Sequence, residues 1–96
     1  MKEIVDVIAL KKKIEERLAV ERATVAKRLR AIRECRDISQ NEAAELCDMS
    51  ERYYGEIERG NANFTLETRV KLCIGFQITP YELFGDLVIE IADDIV

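Results

Sequence analysis

The sequence contains no histidine, and this absence removes much of the usual catalytic and metal-binding chemistry. Histidine is the commonest general base and, with cysteine, a usual ligand of zinc. The three cysteines, Cys35, Cys47 and Cys73, form no C-x-x-C pair, so neither a zinc site nor a Cys–His catalytic pair is expected. Each lies among helix-forming residues, which favours packing in an apolar interior. Since there is no glycine-rich phosphate loop either, the sequence predicts no enzyme, no cofactor and no small-molecule substrate.

Glycine and proline are also scarce, at four and one of 96 residues, while 48% of the residues are hydrophobic. This composition favours an ordered core over disorder, in one domain with an appended arm. No apolar run approaches the roughly 20 residues that a membrane-spanning helix needs. The first residues carry acidic side chains and no unbroken apolar stretch, so they do not resemble a secretion signal. We expect a cytoplasmic protein that does not enter a membrane.

The formal net charge of −4 is unevenly distributed. Residues 86–96 hold four acidic side chains and no basic one, which gives −4 for this segment alone. Residues 1–23 hold six basic and five acidic side chains, and residues 24–85 hold nine and ten. The central segment is therefore nearly neutral, and the local placement of its charges decides what it can bind.

Start and stop signals predict five short helices between residues 24 and 85. Ser or Thr followed three residues later by Glu forms a capping box, in which each residue satisfies a backbone N–H of the other. Gly60 and Gly85 stand where a helix would end, Gly60 in a left-handed conformation. Short links between the helices favour a compact all-α domain. The predicted helix starts are Thr24, Ser39 with Glu42, Ser50, Thr65, and Thr79 with Glu82.

Two segments flank this domain. Residues 2–23 favour an extra amphipathic helix that begins the chain and either stops before Thr24 or runs on into Val25. Its apolar stripe needs a partner, within the chain or in a second copy. Residues 86–96 form an apolar and acidic tail whose pattern fits a strand or a helix equally. We therefore divide the chain into an arm (1–23), a domain (24–85) and a tail (86–96).

The links and motifs of the domain resemble those of one family of DNA-binding proteins. Two helices joined by about three residues, the second opening at Ser50, match a helix-turn-helix. The matching segments are KRLRAIRE, SQNEAAEL, MSERYYGEIERG, LET, VKLC and TPYELF. In this order and spacing, residues 24–85 resemble the lambda-repressor-like (Xre/Cro type) helix-turn-helix family. The resemblance implies a five-helix domain that binds operator DNA, usually as a dimer.

The resemblance also implies which residues meet the DNA. The third helix, residues 50–59, would enter the major groove, so that Arg52 reaches a guanine and Gly55 lies close to base edges. Gln40 would hold a phosphate at the start of the second helix, and the loop into the fourth helix would hold another. Arg28 and Arg69 would add positive charge. The expected DNA-binding residues are Gln40, Asn41, Glu51, Arg52, Tyr53, Glu56, Arg59, Asn61, Asn63 and Thr65.

Several of these side chains have a second, structural interpretation. Arg52 either contacts a base or pairs with Glu56 four residues on. Tyr53 either touches a thymine methyl group or a phosphate, or packs partly into the core. Gln40 either holds a phosphate or is an ordinary exposed residue. Glu56 either accepts a hydrogen bond from a cytosine amino group or repels the phosphates.

The other acidic residues of this helix have roles that do not involve DNA. By resemblance, Glu58 pairs with Arg33 of the first helix and ties the two helices together, while Tyr54 and Ile57 face inward. Glu51 is favourable at a helix N-terminus, whose partial charge is positive.

Four positions depart from the family pattern. Asp48 stands where the turn usually has glycine, Ala43 and Arg69 replace larger apolar residues, and Gly55 lies inside a helix. These departures bear on tight DNA binding more than on the fold.

Two functions follow from these patterns. The first is a sequence-specific DNA-binding transcriptional regulator, a repressor, that binds double-stranded DNA as a homodimer joined through the arm or the tail. The second is a protein-interaction module on the same fold, such as an antitoxin or the partner of a repressor. The fold alone does not separate them.

Overall fold

The computed structural model describes the backbone of residues 2–85 and the side chains of residues 6–85. Within this range the chain forms five helices and no strand, which confirms the predicted all-α fold. The helices are α1 (Lys2–Cys35), α2 (Gln40–Leu46), α3 (Glu51–Glu58), α4 (Leu66–Phe76) and α5 (residues 80–85). The prediction for the tail, strand or helix, falls outside the described residues.

Helix α1 differs from the expected start of the domain, because the arm and the first domain helix are one uninterrupted helix of 34 residues. Thr24 lies inside this helix, where its hydroxyl donates to the backbone oxygen of Val20 at 2.9 Å. The expectation that Thr24 begins a helix is therefore wrong, and the helix runs on through Val25. The residues on both sides of Thr24 favour helix, and a threonine hydroxyl bonded within its own helix does not interrupt it.

The other predicted helix starts are confirmed. The hydroxyls of Ser39 and Ser50 accept from the amides of Glu42 and Tyr53 at 3.0 and 3.1 Å. Thr65 and Thr79 cap α4 and α5 in the same way, and the carboxylates of Glu42 and Glu82 complete two capping boxes. Gly60 ends α3 at a φ of 75°, in the left-handed region that favours glycine.

The core lies where the second half of α1 meets the other four helices. Tyr54 of α3 and Phe76 of α4 lie at its centre with ring centroids 6.2 Å apart. Ala43, smaller than the family residue, is fully buried at the α2 contact. The core residues are Val25, Leu29, Ala43, Ala44, Cys47, Tyr54, Ile57, Leu72, Phe76, Leu83 and Phe84.

The cysteines only partly follow the packing prediction. Cys47 is in the core, where burial raises the pKa of its thiol to about 11, and Cys73 is half-buried beside the core. Cys35 is exposed at the end of α1, so its predicted burial is wrong. Its neighbours favour a helix, as expected, but helix-forming neighbours do not decide which face of the helix a residue lies on.

No helix among residues 2–85 has both the length and the apolar character needed to cross a membrane.

Candidate nucleic-acid interface

The link between α2 and α3 fixes the angle at which α3 is held. Asp48 adopts a φ of 55° in this link, in the left-handed region expected of the turn residue. The Nζ of Lys71, in α4, donates to the backbone oxygen of Asp48 at 3.1 Å and lies 3.8 Å from its carboxylate. This contact ties the turn to α4 and stabilises a conformation that aspartate adopts less readily than glycine.

Helix α3 has an inner and an outer face, as its sequence predicted. Tyr54, Ile57 and Glu58 are buried against α1, α2 and α4, which confirms the inward orientation of Tyr54 and Ile57. Glu51 and Arg52 are exposed at the N-terminal end of the helix. The first turn of α3 is thus exposed to solvent, while the buried side of the helix packs against the rest of the domain.

On this outer face Glu56 has a closer partner than Arg52, the residue considered for it as one of two interpretations of Arg52. Glu56 pairs with Arg59, whose Nη2 donates to Oε1 at 2.8 Å. This hydrogen bond holds the pKa of Glu56 below its usual range, so the carboxylate stays ionised and partly neutralised. Arg52 forms no hydrogen bond or ion pair with another residue in the described part of the chain. Its guanidinium is available to an external acceptor.

Glu58 is the acidic residue that the fold uses internally. Its carboxylate is fully buried and accepts from Arg33 twice, Nε to Oε2 at 2.7 Å and Nη2 to Oε1 at 3.1 Å. This confirms the predicted tie between α1 and α3. Burial alone would raise the pKa of Glu58, but the hydrogen bonds from Arg33 and Gln40 outweigh it and hold the pKa below its usual range.

Arg30 joins the same cluster, and sequence reasoning missed it. Its Nη2 donates to the backbone oxygen of Glu58 at 3.2 Å, and its Nε lies 3.7 Å from Oε1. The available signal was its spacing, since residues three apart on a helix share a face and Arg33 was already assigned to Glu58. Two arginines therefore face one carboxylate, and Glu58 adds no net negative charge to this region.

Gln40 lies at the point where α2 meets α3. Its side-chain Nε2 donates to Oε1 of Glu58 at 3.1 Å, so the side chain is half-buried and held in place. A Cβ on Gly55 would lie 3.3 Å from Nη1 of Arg59 and 3.6 Å from Oε1 of Gln40. Gly55 is buried beneath these two side chains, so the expectation that it lies at base edges is wrong, and its missing side chain lets them close over the helix.

Tyr53 packs partly against the core, one of the two roles considered for it. Its hydroxyl lies 3.4 Å from Oγ1 of Thr68, in the first turn of α4. Thr65 lies 3.4 Å from the same Thr68 oxygen and caps α4. These contacts hold the loop of residues 61–65 beside α3.

The remaining predicted DNA-binding residues surround the outer face of α3. The backbone amide of Asn61 donates to the backbone oxygen of Glu56 at 3.0 Å, which fixes the start of the loop against α3. Asn41, Asn61 and Asn63 are all exposed. The structure thus brings together Gln40, Glu56, Arg59 and Asn61, and places Asn41, Asn63 and Thr65 on the adjoining helix start and loop.

Two arginines expected to add positive charge also make contacts within the domain. The guanidinium of Arg69 lies over the ring of Phe84, 4.3 Å from its centroid, and Nη1 of Arg28 donates to the backbone oxygen of Leu83 at 2.9 Å. Both hold α5 against the rest of the domain. Arg69 replaces an apolar residue of the family but still packs against α5, because a guanidinium stacks favourably on an aromatic face.

Comparison with known proteins agrees with this arrangement. Residues 29–83, more than half of the chain, match the model of the HTH_3 helix-turn-helix family. The chain belongs to this family. The resemblance to lambda-repressor-like proteins, and the prediction of a DNA-binding helix-turn-helix domain, are thereby confirmed.

Three similar proteins show how far the likeness extends. The control protein C.MunI from Mycoplasma sp. is 39% identical over 51 residues, which cover 53% of this chain and 69% of that protein. The crystal structure of the restriction-modification controller protein C.AhdI from Aeromonas hydrophila is 34% identical, with a TM-score of 0.64 over 68% of this chain and 98% of that one. An HTH_3 family transcriptional regulator from Vibrio cholerae is 26% identical, with a TM-score of 0.66 over 72% of this chain and 39% of that one.

Proposed function

We propose that the protein is a sequence-specific transcriptional regulator of the cytoplasm that reads the major groove of operator DNA with α3. The observation that carries this proposal is the exposed guanidinium of Arg52, which forms no hydrogen bond among the described residues, on a helix where arginines hold the carboxylates of Glu56 and Glu58. Glu58 is buried on Arg33, and Glu56 is held by Arg59. The names of the relatives, a control protein and a controller protein, support a regulatory role.

In the proposed complex, different residues fix position and read sequence. Arg52 would donate both arms of its guanidinium to guanine O6 and N7, a contact worth about 1–3 kcal/mol of discrimination against other bases. Gln40 and the amides of the 61–65 loop would donate to phosphates, which fixes the register without reading bases. The hydrogen bond to Glu58 favours this role for Gln40, because it holds the side chain at the edge of the interface.

Two copies would bind a two-fold operator with their α3 helices about 34 Å apart. The exposed apolar side of α4 is the surface that favours such a dimer. Leu66, Val70 and Ile74 follow one another at helical spacing and are 73%, 49% and 72% exposed. Beside them Pro80 and Phe84 line an apolar groove of about 400 Å³. The pattern suits a self-complementary contact, in which the same patch is used by both copies.

Selection of bound sequences from a random duplex library tests the proposal, followed by affinity measurements over a range of salt concentrations. We expect a two-fold consensus and an affinity that falls steeply with salt, because several phosphates release counterions. Arg52→Ala should relax the preference at one base pair of each half-site, whereas Gln40→Ala should weaken binding to all sequences alike. Lys27→Ala, which removes an exposed cation from α1, is the matched control and should change affinity little.

No binding to any duplex at low salt would contradict the proposal and favour the protein-interaction module. Loss of base preference in Gln40→Ala with uniform weakening in Arg52→Ala would contradict the roles assigned to these two residues.

A further inference from the structure

The first half of α1 carries an apolar stripe that the domain does not cover. Val25 and Leu29 of α1 are buried in the core, at 2% and 0% exposure. Leu18, Ile14 and Val7 precede Val25 by 7, 11 and 18 residues, spacings that place all of them on the same side of a helix. Ile14 is nonetheless 47% exposed and Val7 48%. Leu18, nearer the domain, is half-buried. The core-facing side of α1 thus extends beyond the domain as an apolar stripe whose far part is exposed, and we name it the arm stripe (Val7, Ile14 and Leu18).

Helix α5 contacts α1 at Arg28, ten residues along the helix from Leu18, the nearest residue of the stripe. Leu83 is fully buried in the core, and its backbone oxygen accepts from Nη1 of Arg28 on α1 at 2.9 Å. The chain therefore leaves the domain beside Arg28, on the core-facing side of α1. From Arg28 the helix rises about 1.5 Å per residue, so Ile14 lies about 21 Å and Val7 about 32 Å away. Eleven residues can span at most about 36 Å when extended, so residues 86–96 can reach the stripe from this point.

The sequence of residues 86–96 suits this surface. Seven of its eleven residues are apolar, and the other four are Asp86, Glu90, Asp93 and Asp94. Residues 11–17 of the arm hold four basic and two acidic side chains, for a net charge of +2. Both segments also lie outside residues 29–83, the part of the chain that matches the family. An apolar, acidic segment and an apolar, basic one are thus joined to the same side of one domain.

Lys11 argues against a second copy of the arm as the partner. It lies four residues after Val7 and seven before Leu18, on the same side of α1 as the stripe. Two arms packed on each other would bring this lysine into the seam, where a charge weakens association. An acidic segment, in contrast, offers it a carboxylate. We propose that residues 86–96 dock along the arm stripe of the same chain and cover the face that the domain leaves exposed.

Hydrogen exchange of the full-length protein, followed by mass spectrometry, tests this docking. The informative variant is Ile14→Asn, and the matched control is Ile8→Asn, since Ile8 is also exposed on the arm but lies off the stripe. We expect the amides of residues 86–96 to exchange at least tenfold more slowly than an unstructured peptide in the wild type and in Ile8→Asn. In Ile14→Asn they should exchange at the unstructured rate. Circular dichroism should show the same helix content in all three proteins, because both substitutions are on the surface.

Three results would overturn the proposal. The first is unprotected exchange of residues 86–96 in the wild type, and the second is an equal response to both substitutions. The third is protection that disappears on dilution to the monomer mass, which would mean that the segment docks on another copy. None of these measurements involves DNA, so they test the docking independently of the proposed regulatory function.

Discussion

At the scale of single residues, the acidic content of α3 is reconciled with DNA binding by where each carboxylate lies. Glu58 is inside the domain and compensated by Arg33 and Arg30, and Glu56 is held on Arg59. Glu51 remains exposed at the N-terminal end of the helix, where the helix dipole favours it. A count of charges along the helix therefore overstates the repulsion that a phosphate backbone would meet.

Arg33→Ala should destabilise the fold by about 3 kcal/mol, because it leaves the Glu58 carboxylate buried with its strongest partner removed. Lys27→Ala on the exposed side of the same helix should change stability by less than about 0.5 kcal/mol. Chemical unfolding of both variants measures the difference. If the two variants lose equal stability, the Arg33–Glu58 pair contributes nothing beyond an ordinary surface contact.

The lowered pKa of Glu58 also predicts acid sensitivity with a definite sign. In the unfolded chain Glu58 takes up a proton near its ordinary pKa of 4.5, whereas in the folded protein it does so only at a lower pH. The stability that ionised Glu58 contributes is therefore complete above the ordinary pKa and is lost as the pH falls through the lower folded-state pKa. Glu58→Gln removes the titrating group and should flatten the fall of stability as the pH drops below about 5. Unfolding titrations at several pH values compare the two slopes, and parallel curves would assign the acid sensitivity to other carboxylates.

At the scale of helices, the sequence predicted what local chemistry decides and missed what tertiary contacts decide. The caps at Ser39 and Ser50 could be predicted from the sequence, because a capping hydroxyl acts on its own helix. The sequence did not predict that Glu56 pairs with Arg59 rather than Arg52, because spacings of three and four both bring side chains together on a helix. The stacking of Arg69 on Phe84 joins two helices, and no spacing within α4 predicts it.

Family resemblance predicted one of the contacts behind the candidate interface and missed another. The tie between Glu58 and Arg33 was predicted, since the family motif specifies both partners. The packing of the Gln40 and Arg59 side chains over Gly55 was not predicted, since it depends on how α2 lies on α3. Whether α1 is continuous was left open, because Thr24 can begin a helix as a cap but can also lie inside one between two helix-forming segments.

Gly55→Ala tests whether this glycine is needed for packing or only tolerated. The new methyl group would lie 3.3 Å from Nη1 of Arg59, the mobile end of a flexible side chain, so the contact can relax. The gain in helix propensity should then stabilise the protein by about 0.5–1 kcal/mol. Gly60→Ala at the end of the same helix should instead destabilise it by about 1 kcal/mol, because φ is 75° there. Thermal unfolding of both variants should show shifts of opposite sign, and a destabilised Gly55→Ala would mean that Arg59 cannot move.

At the scale of the whole molecule, the apolar surface is divided between two places. The first is the arm stripe on α1, for which residues 86–96 are the proposed partner. The apolar face of α4 lies beside Pro80 and Phe84. Among the described residues, nothing covers Leu66 or Ile74. A second copy is the natural partner for this face, because the proposed operator complex needs two domains and two symmetry-related patches bury each other.

Val70→Glu should weaken the proposed dimer at least tenfold, because it places two like charges near each other in a contact that excludes water. Val20→Glu is a close control: Val20 and Val70 are both 49% exposed on helices, but Val20 lies on the side of α1 opposite the arm stripe. Light scattering over a range of concentrations measures the mass of each variant. We expect Val20→Glu to remain dimeric where Val70→Glu is monomeric, and operator binding by Val70→Glu to fall with it while circular dichroism stays unchanged. A dimer that survives Val70→Glu would move the contact to another surface, and one lost equally in Val20→Glu would place it on the arm.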